Sequence, residues 1–145
     1  MVDVFHVIED VGREASRTET GGNDHTGLVE ASRDLAVALE KAVGDLQTAT
    51  MWLMQNGMAN PNNAGAAAYS YMSLMGVVCL GLMWLRMAKA SAAALANGGE
   101  DKDFHQAKLV TARFFAERVM PETGSLRRKI ESGAESLMAL PAEAF

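Results

Sequence analysis

A single cysteine, Cys79, stands in the 145 residues, so neither an intrachain disulfide framework nor a multi-cysteine zinc site is available. Proline is nearly as scarce: Pro61, Pro121 and Pro141 each fall where a helix is expected to start or stop. Aromatic residues are only 6% of the chain, and no run alternates apolar and polar residues between turn dipeptides, which argues against strands. A basic excess is missing too. With a net charge of −5 there is no stripe of Lys and Arg to release counterions from a phosphate backbone, which argues against a nucleic-acid partner. The residues Met1 to His6 lack the basic start and apolar core of a signal peptide, so a reduced, cytoplasmic compartment is expected.

What remains is rich in Ala, Leu and Met, the composition of an all-α protein. The length fits one domain that needs no covalent staple. The spacing predicts an up-and-down four-helix bundle over residues 26–56, 60–96, 101–120 and 122–140, with a short extra N-terminal helix over 2–17. Residues 1–27 read as an N-terminal segment and linker, and 28–145 as the bundle. Leu35, Leu39, Ala42, Leu46, Ala49 and Leu53 recur at intervals of four and three, a heptad-like seam. Leu126, Ile130, Gly133, Leu137 and Leu140 repeat that spacing in the last helix. Asn56-Gly57 reads as a helix stop, Asn60-Pro61 as a cap and first turn, and Asn97-Gly98-Gly99 as a second stop.

Charge is absent altogether from Leu46 to Leu85, 40 residues in a row. The inner stretch from Ala64 to Leu85 is long enough to span a bilayer. It is dominated by Ala, Gly, Ser, Tyr and Met rather than by the Leu, Ile, Phe and Val that drive insertion, so a buried bundle helix is the expected reading and a membrane span is not.

No phosphate-cradling glycine loop and no Glu-x-x-His metal motif occurs. His6, His25 and His105 lie in separate elements, and Asp101 and Asp103 read as a solvated helix start rather than as metal ligands. Cys79, within Val77-Val78-Cys79-Leu80, reads as a small buried hydrophobe. Met51, Met54, Met58, Met72, Met75, Met83 and Met87 read as core packing ahead of a pocket for an apolar ligand. Arg127-Arg128-Lys129 reads as a solvated face paired with Glu131. Arg86 is expected in a structural ion pair with Glu117, for which Arg113 is the alternative cation.

Several segments then carry a family resemblance. They are Ala64-Gly65-Ala66-Ala67-Ala68-Tyr69-Ser70-Tyr71-Met72, Trp84-Leu85-Arg86-Met87-Ala88, Phe104-His105-Gln106-Ala107-Lys108, Ala112-Arg113-Phe114-Phe115-Ala116-Glu117-Arg118-Val119-Met120-Pro121 and Leu137-Met138-Ala139-Leu140-Pro141. In this order they resemble the extra C-terminal helical domain of long bacterial acyl-CoA dehydrogenases, the group similar to 3-methylmercaptopropionyl-CoA dehydrogenase. The resemblance covers roughly residues 28 to 145. It implies an FAD-dependent parent flavoprotein of fatty acid metabolism that desaturates an acyl-CoA thioester between its α and β carbons. It also implies that flavin, substrate and the proton-abstracting glutamate all belong to a core upstream of these residues. This chain would be an excised or separately encoded C-terminal piece, used for packing and assembly. No catalytic, cofactor-binding or metal-binding residue is carried over. The alternative is a free-standing helical bundle that binds an apolar ligand or a partner helix.

A bundle buries one stripe of each helix, so the uncharged stretch has more apolar surface than the bundle can cover. Trp52, Met54, Met58, Tyr69, Tyr71, Met72 and Gly76 are the expected interface residues, with Gly76 permitting close approach. The expected partner is a second copy, in a homodimer, or the catalytic core of the parent dehydrogenase.

Overall fold

The computed structural model describes residues 27–98 and 100–144, and the side chains from Ser32 onward. The helix expected over 2–17 and the linker after it lie outside the described residues. Four helices follow one another: α1 (Gly27–Ala59), α2 (Pro61–Ala96), α3 (Lys102–Arg118) and α4 (Glu122–Glu131), then one 3-10 turn at Ala142–Ala144. No strand occurs among the described residues, and the chain is the all-α bundle that its composition predicts.

The hairpin of α1 and α2 is unusually tight because one residue, Asn60, joins them. Its backbone is extended (φ −142°) and its side chain accepts from the backbone N–H of Asn62 at 3.1 Å, capping α2 ahead of Pro61. Asn56-Gly57 does not stop α1. The Asn56 side chain donates back to the Trp52 carbonyl at 2.9 Å, and the helix runs on to Ala59. Gly57 serves close approach instead: a Cβ there would stand 3.4 Å from the Ala64 Cβ across the hairpin.

The remaining two helices form a single third column. Both α3 and α4 pack on α1 and α2 and scarcely on each other. Their pairings with α2 run in reverse order: His105 with Ser91, Phe115 with Trp84, Met120 with Gly81, Gly133 with Asn63. The column therefore descends antiparallel to α2, and it bends at Val119-Met120-Pro121, where the proline lacks the N–H that would carry the helix onward. The four expected segments are present, arranged in three columns with the last one bent.

The core is the α1 seam meeting its counterparts. Leu35, Leu39, Ala42, Leu46 and Ala49 are buried, and Leu53 packs at their edge. Leu74, Val78 and Leu85 of α2 face them, and Leu109, Phe115, Met120 and Ile130 close the third side. Gly81 sits where the columns converge. A Cβ there would lie 3.0 Å from the Met120 sulfur and 3.1 Å from Leu39.

One expected element is shorter than its periodicity implies. The helix expected over 122–140 ends at Glu131. Leu126 and Ile130 join the core, but Leu137 and Leu140 are exposed. The cause is long-range. Gly133 takes a left-handed φ of +68°, and the next N–H, that of Ala134, donates to Asn63 Oδ1 of α2 at 3.0 Å. The same Asn63 donates to the Asn56 carbonyl at 3.2 Å, so one side chain pins the ends of α1 and α4 to the start of α2.

Candidate interaction surface

The expected interface residues divide into three groups. Trp52 turns toward the third column, its ring near Gly133. It lines a cleft of about 410 Å³ with Asn60, Asn62, Asn63, Ser132 and Glu135. Tyr71 is a strut: its hydroxyl meets Thr50 Oγ1 at 2.8 Å, while Thr50 donates to the Leu46 carbonyl at 2.7 Å, linking α2 to α1. Met54, Met58, Tyr69, Met72 and Gly76 are open to solvent.

These five belong to a wider surface. With the buried stripe of α2 passing through Leu74, Val78 and Leu85, helical geometry sets Tyr69, Met72, Gly76, Leu80, Met83 and Met87 along the opposite side. All six are exposed. On α1, exposed Met51, Met54 and Met58 occupy one side of the helix near the Asn60 turn. The methionine cluster is thus mostly a surface feature: the expectation of core packing is overturned, and only Met75 among the α2 methionines packs against the core. Cys79 is likewise exposed, not buried. Sequence reading missed Leu80, Met83 and Met87 as surface residues, although they prolong the spacing set by Met72 and Gly76.

Charged groups flank this surface at its Met87 end. Glu117 accepts from Arg113 Nε at 2.9 Å, an exposed pair one turn apart on α3. Arg86 is exposed on α2 beyond the apolar stretch. The buried charge is elsewhere. Asp45 of α1 accepts from Thr123 Oγ1 at 2.9 Å and pairs with Arg127 Nε at 3.1 Å, while Arg127 Nη1 stays 3.9 Å from Glu131. Arg127 is therefore more than a solvated residue of a charge run: with Thr123 it fastens α4 to α1. Removing one partner from a buried polar link of this kind costs about 1–3 kcal/mol.

No group of three or more His, Cys, Asp or Glu residues converges among the described residues, and His105 shares a 3.3 Å contact with Ser91. A flavin pyrophosphate needs backbone N–H groups or cations. The cleft beside Trp52 offers asparagines, and its one charged lining residue is the anionic Glu135, so it does not fit that group. By length and composition α2 is the one described helix able to cross a membrane, and 22% of its most apolar window is buried in the bundle.

The described residues form an all-helical bundle whose hairpin exterior carries no charge around the Asn60 turn and along the outer side of α2 as far as Leu85. The family model described as Acetyl-CoA dehydrogenase C-terminal like matches residues 8–141, and the chain belongs to this family. It is 31% identical over 137 residues to 3-methylmercaptopropionyl-CoA dehydrogenase of Ruegeria pomeroyi, a match covering 91% of this chain and 23% of that protein. It is 30% identical over 115 residues to the broad-specificity linear acyl-CoA dehydrogenase FadE5 of Mycobacterium tuberculosis, covering 77% of this chain and 19% of the relative. The chain thus spans less than a quarter of either relative.

Proposed function

We propose that this domain is the packing and assembly part of an FAD-dependent acyl-CoA dehydrogenase, with flavin, thioester and catalytic base held by a core outside these residues. The observation that carries the reading is the pairing of family membership with an exterior that has no chemistry and no charge, on Met51, Met54, Met58 and the outer side of α2. Apolar side chains with charge depleted are what the centre of a protein–protein contact contains. The rigid hairpin holds that surface in place: Asn60 makes the turn, and the Thr50–Tyr71 and Asn63 links lock α1 to α2. The core docks on the methionines of α1, association with a further copy uses the outer side of α2, and the compartment is cytoplasmic.

The test is direct. The purified chain is expected to be colourless and to form no enoyl-CoA from acyl-CoA with an electron acceptor. A separately expressed dehydrogenase core should co-elute with it, and Met54→Glu with Met58→Glu should abolish that co-elution without loss of helix content. Stoichiometric flavin in the isolated chain would overturn the reading.

A further inference from the structure

The outer side of α2 is palindromic. Counting from Gly76, large apolar residues stand at −7 and −4 (Tyr69, Met72) and again at +4 and +7 (Leu80, Met83). One step further out the pattern complements itself: Gly65 at −11 answers Met87 at +11. At the centre, a Cβ on Gly76 would meet nothing within 4 Å, so this point of the helix is a bare backbone facing solvent.

We infer that this chain forms a homodimer in which α2 crosses its counterpart antiparallel, with Gly76 on the two-fold axis. An isologous contact requires one patch to complement itself: residue i meets j, and j meets i. In this register Met72 stands level with Leu80 of the second copy and Tyr69 with Met83. The Met87 side chain lies over the gap at the other Gly65. Gly76 lets the two helices approach closely where they cross. A parallel crossing would set Met72 against Met72 and leave the palindrome without a role.

The area suffices. Tyr69 is 76% exposed, Met72 67%, Leu80 54%, Met83 43% and Met87 37%. At roughly 200 Å² for a fully open large side chain they present about 550 Å², and the exposed small residues between them bring the face toward the ~800 Å² per partner of a standard interface. An apolar face of that size is at the upper end of what a monomer leaves uncovered. Each chain carries a net charge of −5, which opposes association, yet the stripe from Gly65 to Met83 carries none of that charge, and Arg86, exposed next to Met87, stands at the margin of the contact.

This geometry rests on the reading of the hairpin exterior as an association surface, and it does not require a flavin core to be present. Sedimentation of the full chain should show a dimer at high micromolar concentration. Met72→Glu and Leu80→Lys, each at an exposed position, should each weaken dimerisation about a hundredfold with circular dichroism unchanged. Combined in one chain, the two substitutions set the introduced carboxylate of one copy level with the introduced ammonium of the other at both ends of the contact, and dimerisation should recover about tenfold over either single variant. A monomeric wild-type chain would overturn the dimer and leave the whole exterior to another partner, such as the dehydrogenase core. A wild-type dimer that both single variants leave intact, or that the double variant fails to restore, would overturn this crossing while leaving the association surface standing.

Discussion

The two sides of α2 differ in size rather than in polarity. Its buried stripe reads Ala67, Ser70, Leu74, Val78, Gly81, Leu85, Ala88 and Ser91, with more small residues than large ones. Its outer side carries Tyr69, Met72, Leu80, Met83 and Met87. An isolated amphipathic helix does the opposite, burying its large apolar residues and exposing polar ones. Small inner residues let α1 and the bent third column close tightly around α2. The large residues left outside are ones the bundle does not use. What distinguishes core from exterior here is the space each side offers, and that difference can be tested by making the same kind of change on both sides.

Truncation should give the largest contrast. Leu85 is fully buried among the three columns, and Leu85→Ala is expected to cost about 2–5 kcal/mol through lost transfer energy plus a cavity. Leu80→Ala, five residues earlier and half open, should cost within about 0.5 kcal/mol when measured by urea denaturation at a concentration where the chain is monomeric. Equal losses would show that the outer stripe is packed within a single copy.

Addition should give a smaller contrast, of opposite sign on the two sides. Gly81→Leu drives a side chain into atoms that already stand 3.0 Å and 3.1 Å from a single Cβ, and overpacking of that kind costs about 1–3 kcal/mol. Gly76→Ala meets open space and removes a flexible residue from a helix interior, so the monomer should gain about 0.5–1 kcal/mol. The midpoints of chemical denaturation report both. A stabilised Gly81 variant would mean that Met120 and Leu39 yield more easily than their packing implies.

The same contrast explains what the sequence could and could not reveal. On α1 the Leu35 to Leu53 seam stands against Glu40, Lys41, Gln47 and Thr48, so polarity marks most of the outer side and the seam is read correctly, but the same rule places Asp45 on the wet face, and it is buried. Along α2 no charge marks a side between Pro61 and Leu85, and the same reasoning placed Cys79, Met83 and Met87 inside, where only the neighbouring Met75 packs against the core. Asn60-Pro61 announces the start of α2 because a cap is local. The end of α4 depends on Asn63, 71 residues away from the Ala134 amide that it captures, and no local pattern signals that. The clamp of Asp45 on Thr123 and Arg127 is hidden for the same reason. The family resemblance pointed to the family whose model the chain matches, and the interface residues expected from the uncharged stretch then separate by geometry. Trp52 and Tyr71 are turned inward or tied across the hairpin, while Met54, Met58, Tyr69, Met72 and Gly76 remain open.

The smallest expected effect lies on α3, whose outer side is charged in the ordinary way. Arg113 and Glu117 meet at 2.9 Å with both side chains more than half exposed, so water and salt screen the pair. Arg113 has other interactions as well, so a single substitution would not isolate this one. A double-mutant cycle with Arg113→Ala and Glu117→Ala removes the other terms. The coupling should be about 0.3–0.5 kcal/mol at low ionic strength and should fade in 1 M salt, where the screening length is about 3 Å. A coupling well above 1 kcal/mol that survives salt would place this pair under a partner rather than in water. The covered exterior of the bundle would then extend from the uncharged outer side of α2 onto α3, and the contrast between the two outer sides would be one of charge alone, not of exposure.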